Sequence, residues 1–171
     1  MFRRKYKKYP LEFSGNPIDG IQYFMTIYSG SKALRMLIDS GAEFSIIGNI
    51  HLKGCNYDNC GYTSTSYGIS GNIKTRNIVL DYDIEQPTEL LEYGKARFNQ
   101  EFKVALKKDS PMFNSDDSEG FAGLLGSTFL QFCDLNLRDG YIKVYNKPGI
   151  VTKTLSSNFS LGNDQDADKV G

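Results

Sequence analysis

The stretch Leu37-Ile38-Asp39-Ser40-Gly41-Ala42 decides how the chain is read. Two apolar residues run into an acid, then a small hydroxyl residue, a glycine and an alanine. That is the pattern of a strand delivering one carboxylate onto a tight turn, since glycine enters turn conformations at no steric cost. Phe44-Ser45-Ile46-Ile47-Gly48 then carries the chain away as a second apolar strand. An Asp-Ser-Gly tripeptide occurs by chance in many surface turns, so its meaning depends on the surroundings.

Upstream, Gly15-Asn16-Pro17 and Asp19-Gly20 are turn signals that close off an N-terminal arm. Ile21 to Tyr28 is rich in β-formers, Ser29-Gly30-Ser31 reads as a hairpin turn, and Ala33 to Ile38 returns as its partner strand. Downstream, the polar segment from Asn49 to Thr65 is expected to hold loop or a short helix. Tyr67-Gly68-Ile69-Ser70-Gly71 reads as a glycine-rich hairpin tip, because glycines in a strand mark a bend, a mobile tip or a close backbone approach. Ile78 to Tyr82 continues that strand. Gln86 to Asn99, with Pro87, is a short helix or an insertion, and Glu101 to Leu106 alternates like a strand with one wet face. Lys107 to Glu119 is a polar loop long enough to be functional or an insertion. Phe121-Ala122-Gly123-Leu124-Leu125-Gly126 is an apolar strand ending in glycine, with Ser127 or Thr128 placed to cap a helix running to Cys133. Asp139-Gly140 turns a last hairpin, and the tail from Ser156 is polar and expected to be disordered. There is no internal repeat and no second Asp-Ser-Gly.

At 171 residues, 40% apolar and 23% charged, the composition suits one globular domain. A formal net charge of zero argues against a dedicated nucleic-acid binder. The basic start, Met1-Phe2-Arg3-Arg4-Lys5-Tyr6-Lys7-Lys8, is followed by no apolar signal-peptide core. It is expected to be a solvated arm, with at most a weak nucleic-acid contact. No apolar run approaches the ~20 residues that span a bilayer, so no membrane partner is expected. Three cysteines without a secretory signal point to reduced thiols and a cytoplasmic setting. Cys55 and Cys60 lie near His51, yet structural zinc needs a second ligand pair and only Cys133 remains. The acids Asp116, Asp117 and Glu119 do not have EF-hand spacing, and Gly123 and Gly126 are not followed by the Lys-Ser of a phosphate loop. Neither metal nor cofactor is expected. His51 is the single histidine and reads as a surface or capping residue, which leaves Ser40 without a base that would make it a nucleophile.

Taken together, the order of elements resembles the retropepsin-like aspartic proteases, that is, the retroviral enzymes and their single-copy bacterial and phage relatives. The hairpin into Leu37-Ile38-Asp39-Ser40-Gly41-Ala42 resembles the family's catalytic loop. Tyr67-Gly68-Ile69-Ser70-Gly71 resembles its flap, and Gly123-Leu124-Leu125-Gly126, before a short helix and a final hairpin, resembles the strand that crosses behind the loop. The resemblance covers Gln22 to Tyr145. It implies a mainly β, closed-barrel-like fold with a flap hairpin and one short C-terminal helix. The implied division is a basic arm at 1–20, the protease domain at 21–150 and a flexible tail at 151–171.

The chemistry of that class needs two carboxylates. Sharing one proton, they activate a water on one side and polarise the peptide carbonyl on the other, because like charges ~3 Å apart cannot both ionise. This chain supplies one such acid, so the resemblance implies a homodimer in which each subunit contributes Asp39. By the same resemblance, Ser40 bonds across to the partner's loop, Gly41 lets the loop turn and brings amides to the carboxylate, and Ala42 lines the cleft. Leu124, Leu125 and Gly126 back the loop. Tyr67, Gly68, Ile69, Ser70 and Gly71 close over an extended polypeptide substrate. Serine stands where threonine is commoner in the family. Asn49 to Ser66 and Glu85 to Asn99 are longer than in the smallest retroviral members, and the polar tail after Val151 does not look like an apolar interface strand. The alternative from a different class is a catalytically silent module that uses the cleft to bind peptides or to dimerise.

Overall fold

The computed structural model describes residues 5–68, 71–86, 98–117 and 120–145. Eleven strands follow one another: β1 (Tyr6–Pro10), β2 (Glu12–Asn16), β3 (Gly20–Ser29), β4 (Lys32–Ile38), β5 (Ser45–Gly48), β6 (Asn56–Gly68), β7 (Gly71–Tyr82), β8 (Phe98–Ala105), β9 (Gly123–Leu125), β10 (Cys133–Asn136) and β11 (Tyr141–Tyr145). One short helix, α1 (Ser127–Leu130), lies between β9 and β10. An eight-stranded sheet runs β2-β3-β4-β9-β5-β8-β7-β6, and a three-stranded sheet runs β1-β11-β10.

The decisive feature is the position of β9. Strands β4 and β5 flank the Asp39 loop but do not pair with each other; β9 lies between them. It runs parallel to β4 (Met36↔Gly123, Leu37↔Leu124, Ile38↔Leu125) and antiparallel to β5 (Ile46↔Leu124, Ile47↔Gly123). Gly123 permits this close approach, since a Cβ there would overlap the Ile46 carbonyl.

Alternation sorts the strand residues onto two faces. One face, with Met25, Ile27, Leu34, Met36, Ile47, Ile78, Leu80, Tyr82, Phe98, Phe102, Val104 and Leu125, forms the main core. Burial stabilises each such side chain by about 1.5–3 kcal/mol. Tyr82 and Phe98 stack with centroids 4.9 Å apart, and Phe129 of α1 meets Phe98 edge-on at 5.3 Å. Ile142 and Val144 join from the smaller sheet. The opposite face carries a second cluster of Ala105, Phe113 and Leu124, with Leu37, Ala42, Ile46 and Phe121 packed on it. One polar side chain, Gln100, is fully enclosed and still satisfied. It accepts from the Tyr82 hydroxyl and donates to the Thr128 carbonyl at 2.9 Å.

Several expectations need correction. The sheet does not close into a barrel: among the described residues β2 and β6 are its free edges. β2 takes up one edge of β3, and the far end of β3 meets the β7 side through the isolated Tyr28↔Asp83 bridge rather than a ladder. Tyr6–Pro10 and Glu12–Asn16 are strands, not a solvated arm. Pairing with β11 sets Lys8 over the Tyr141 ring at 3.7 Å and Lys143 of β11 over Tyr6 at 4.7 Å. Asn56–Gly68 is a long edge strand rather than loop, polar because its outer side meets water. The helix stops at Leu130, and Cys133 opens β10. The second face of β8 is covered rather than wet, with Lys103 8% exposed and Ala105 2% exposed.

The hairpin turns at Ser29-Gly30-Ser31 and Asp139-Gly140 form as read, with Gly30 at φ 56 and Gly140 at φ 72. Residues 87–97 and 146–171, which include most of the segment from Gln86 to Asn99 and the tail, lie outside the described residues. No helix among the described residues is long and apolar enough to cross a membrane.

Gly123→Ala is expected to lower unfolding stability by about 1–3 kcal/mol, because a methyl group must displace backbone rather than a flexible side chain. Urea denaturation checks this; a variant as stable as the parent would mean that β9 does not need the close approach.

Candidate active site

The Asp39 loop is held from behind by β9 and the start of α1. The Asp39 amide donates to the Leu125 carbonyl at 3.1 Å, and the Ser127 amide donates to the Ala42 carbonyl at 2.8 Å. The Gly126 amide donates to Ser45 Oγ at 3.1 Å, and Ser45 Oγ lies 3.1 Å from Thr128 Oγ1. A Cβ on Gly126 would stand 2.5 Å from the Phe44 carbonyl oxygen and 2.6 Å from that of Ala42. Gly126 is therefore the point where the loop rests directly on the strand behind it. Hydrogen bonds thus tie Asp39 and Ala42 to Leu125 and Ser127, and Gly126 to Ser45, while Leu124 pairs within the sheet beside Leu37 and Ile46.

Within the loop, the Gly41 amide donates to Asp39 Oδ1 at 3.0 Å and the Ala42 amide to the Asp39 carbonyl at 3.2 Å. The first is an Asx turn, in which the carboxylate fixes its own loop. Asp39 is half-buried while Ser40 and Gly41 are exposed. Gly41 does not adopt a left-handed conformation, and a Cβ there would meet Asp39 Oδ1 at an ordinary 3.4 Å. The turn therefore does not draw on glycine's left-handed freedom; what Gly41 supplies is the amide beside the carboxylate.

The backbones of Tyr67, Gly68 and Gly71 end the β6–β7 hairpin, with Tyr67↔Asn72 and Gly68↔Gly71 in register. Ile69 and Ser70 lie outside the described residues. This hairpin is joined to the Asp39 unit through β8 and β5. Its base carries a polar strap that sequence reasoning missed. Tyr62 donates to Glu101, Asn77 Nδ2 donates to Glu101 Oε1 at 2.9 Å, and Ser64 Oγ donates to Asn77 Oδ1 at 2.9 Å. The signal was the i, i+2 spacing of hydroxyl and amide residues on adjacent strands. Asn114 was missed as well. Its Nδ2 donates to the Ala105 and Ser110 carbonyls at 3.1 Å and 2.9 Å, and its Oδ1 accepts from the Ile50 amide at 3.2 Å.

Two charged or titratable groups stand near this frame. Lys103 is buried with its ammonium 4.3 Å from the centre of the Phe44 ring. Burial pushes its pKa below 10.5, and Glu43 and Glu101 oppose that shift. His51 lies in the 3₁₀ turn Asn49–His51 that follows β5, and no bond links it to Ser40. Burial lowers its pKa below 6.5 despite a hydrogen bond with the Phe113 backbone and the charge of Asp116, and its Nε2 is enclosed with no hydrogen-bond partner. Among the described residues no group of three or more His, Cys, Asp or Glu side chains is arranged to hold a metal.

No family model matches the chain, and no curated protein matches it. Among solved structures it is similar to the EIAV protease complexed with the inhibitor HBY-793, at 18% identity and a TM-score of 0.44 over 69% of this chain and 92% of that one. It is also similar to a retropepsin-like aspartic protease from Rickettsia conorii, at 14% identity and a TM-score of 0.43 over 85% of this chain and 98% of that one. At these identities and scores neither likeness bears on which residues act.

Two outcomes are expected. Gly126→Ala should displace the backbone of Ala42 to Phe44 and lower stability by about 1–3 kcal/mol in urea denaturation; an unchanged midpoint would show the loop free of its support. His51 has a folded pKa below its unfolded value, so the unfolded chain binds more protons and stability falls as pH drops through 6.5 towards the folded pKa. His51→Asn should therefore lose less melting temperature than the parent between about pH 7.5 and about pH 5. Equal losses would contradict the burial.

Proposed function

We propose that the protein is an aspartic endopeptidase whose catalytic pair is completed by Asp39 of a second copy. The single observation that carries this reading is a half-buried carboxylate following β4, oriented by the Gly41 amide and held from behind by Leu125 of β9 and by Gly126 and Ser127 at the start of α1. A carboxylate with a fixed position is what a shared-proton pair requires, since both its orientation and its distance from the partner acid set the splitting of the two pKa values.

In this mechanism two Asp39 carboxylates lie ~3 Å apart and hold one proton between them, the separation general to aspartic proteases. The ionised carboxylate takes a proton from a water whose oxygen attacks the peptide carbonyl carbon. The protonated carboxyl gives its proton to the carbonyl oxygen, forming a neutral tetrahedral diol. The newly protonated carboxyl then gives its proton to the amide nitrogen while the other carboxylate takes one from a diol hydroxyl. The C–N bond breaks to an amine and a carboxylic acid, and the pair again holds one proton. Which acid acts as base is a property of the pair, not of either residue. The β6–β7 hairpin, with Tyr67 to Gly71 at its end, closes over an extended polypeptide and excludes water from the reaction. The polar strap at its base fixes where that hairpin starts. Ser40, exposed at the loop tip, bonds to the partner's loop.

Asp39→Asn is expected to lower cleavage of a mixed peptide pool by at least about 100-fold while leaving the melting temperature close to the parent's. Pepstatin should block the parent's cleavage, assayed between about pH 4 and about pH 7. Equal cleavage by the Asn variant would sink the reading. A parent that forms dimers and cleaves nothing would leave the silent module standing instead.

A further inference from the structure

The β2–β3 hairpin extends beyond the end of the sheet at which Asp39 sits. The register Phe24↔Leu37, continued by two residues, sets Tyr23 level with Ile38 and Gln22 level with Asp39. β2 lies one strand further out, with Phe13↔Tyr23 and Ser14↔Gln22. At ~4.8 Å between strands, the Phe13 backbone is ~10 Å from that of Ile38.

This hairpin is amphipathic, and among the described residues its apolar face is only partly covered. The face of Phe13, Tyr23 and Ile21 continues that of the main core, on which Tyr23 and Ile38 pack. Its outer part is bare: Phe13 is 69% exposed, Ile21 39%, Ile18 at the turn 93%, and Leu137 45%. The Tyr23 hydroxyl donates to the Leu137 carbonyl at 3.0 Å, which brings the turn between β10 and β11, with its exposed Leu137, up to the hairpin. The other face carries Glu12, Ser14, Asn16 and Gln22. Between Leu11 and Met25 there is no Lys or Arg. The two acids there are already engaged, Glu12 with Arg35 at 3.1 Å and Asp19 with the Asn16 amide at 2.9 Å. All five residues of β2 are exposed, and this edge strand holds neither the lysine, the proline nor the bulge that usually discourages pairing.

We infer that the apolar face of the β2–β3 hairpin, with Leu137, is the surface on which a second copy of this chain docks to complete the Asp39 pair. The inference rests on reading Asp39 as half of a shared pair. A second copy that brings its own Asp39 to within reach must cover the surroundings of the first. A stable interface takes about 800 Å² from each partner, a patch of radius roughly 16 Å, which extends past Phe13 and Ile21 when centred on Asp39. The apolar face of the hairpin itself bears no charge, so it meets its own copy across a twofold axis without like-charge repulsion, whereas a face bearing one sign of charge would not.

Sedimentation of the full chain, its Phe13→Glu/Ile21→Glu variant and its Asp39→Asn variant tests this. The parent and Asp39→Asn should dimerise alike, and the hairpin variant should dimerise roughly 100-fold more weakly and lose cleavage with it. Hydrogen exchange on the unaltered chain gives a measurement that needs no variant. Amides 12–22 should slow on passing from monomer to dimer concentrations. A hairpin variant with the parent's dimerisation midpoint, or hairpin amides indifferent to dimerisation, overturns the surface while leaving the catalytic reading intact. A parent dimerising through the hairpin whose Asp39→Asn variant still cleaves overturns the pair and not the surface. A chain monomeric at every concentration overturns both.

Discussion

The insertion of β9 between β4 and β5 is the constraint on which the remaining structure depends. Without it the two strands that flank Asp39 have no common partner, because each pairs with β9 and neither with the other. The same strand sends Leu124 to one cluster and Leu125 to the other, so both apolar layers share one backbone. Gly123 and Gly126 at its ends are the positions where backbone meets backbone without room for a side chain. A three-residue strand is short for such a role. It suffices because every residue in it is buried and its neighbours on both sides hold it in register.

Polar groups inside the molecule are spent on joining elements rather than left over. Gln100 connects β7 and β8 to α1 through Tyr82 and Thr128, Ser45 connects β5 to Gly126 and Thr128, and Asn114 ties the loop after β8 to the turn after β5. Buried polar groups that find partners in this way specify one arrangement, since any slip of register would strand them unpaired. Thr128 receives two of these connections, which places α1 as the joint between the Asp39 loop and the strands that lead to the β6–β7 hairpin. Among the described residues His51 Nε2 is the exception, enclosed and unpartnered.

What could be read from the sequence was what is local. The approach to Asp39, the turns at Gly30 and Gly140 and the apolar strand before Gly126 each announce themselves within a few residues. The strands at Tyr6–Pro10 and Asn56–Gly68 could not be read that way. Their residues are polar or basic, and their partners, β11 and β7, supply the pairing from elsewhere in the chain. At the proposed site, the acid on its turn and the apolar strand ending at Gly126 could be picked out, but the hydroxyl contacts behind the loop could not. Ser45 and Thr128 look like ordinary strand and capping residues until the fold brings their hydroxyls together, and Gly41 looked like a turn glycine although its conformation is one that alanine can adopt.

The support behind Asp39 also sets an order of events in time. The bonds from Leu125, Gly126 and Ser127 close a loop that spans much of the chain, and closing long loops is both entropically costly and slow. A chain folded only as far as β8 has its acid and the Gly41 amide beside it, but nothing behind the loop. The rear support closes when β9 enters between β4 and β5, so strand order alone makes it a long-range contact that waits on a distant part of the chain.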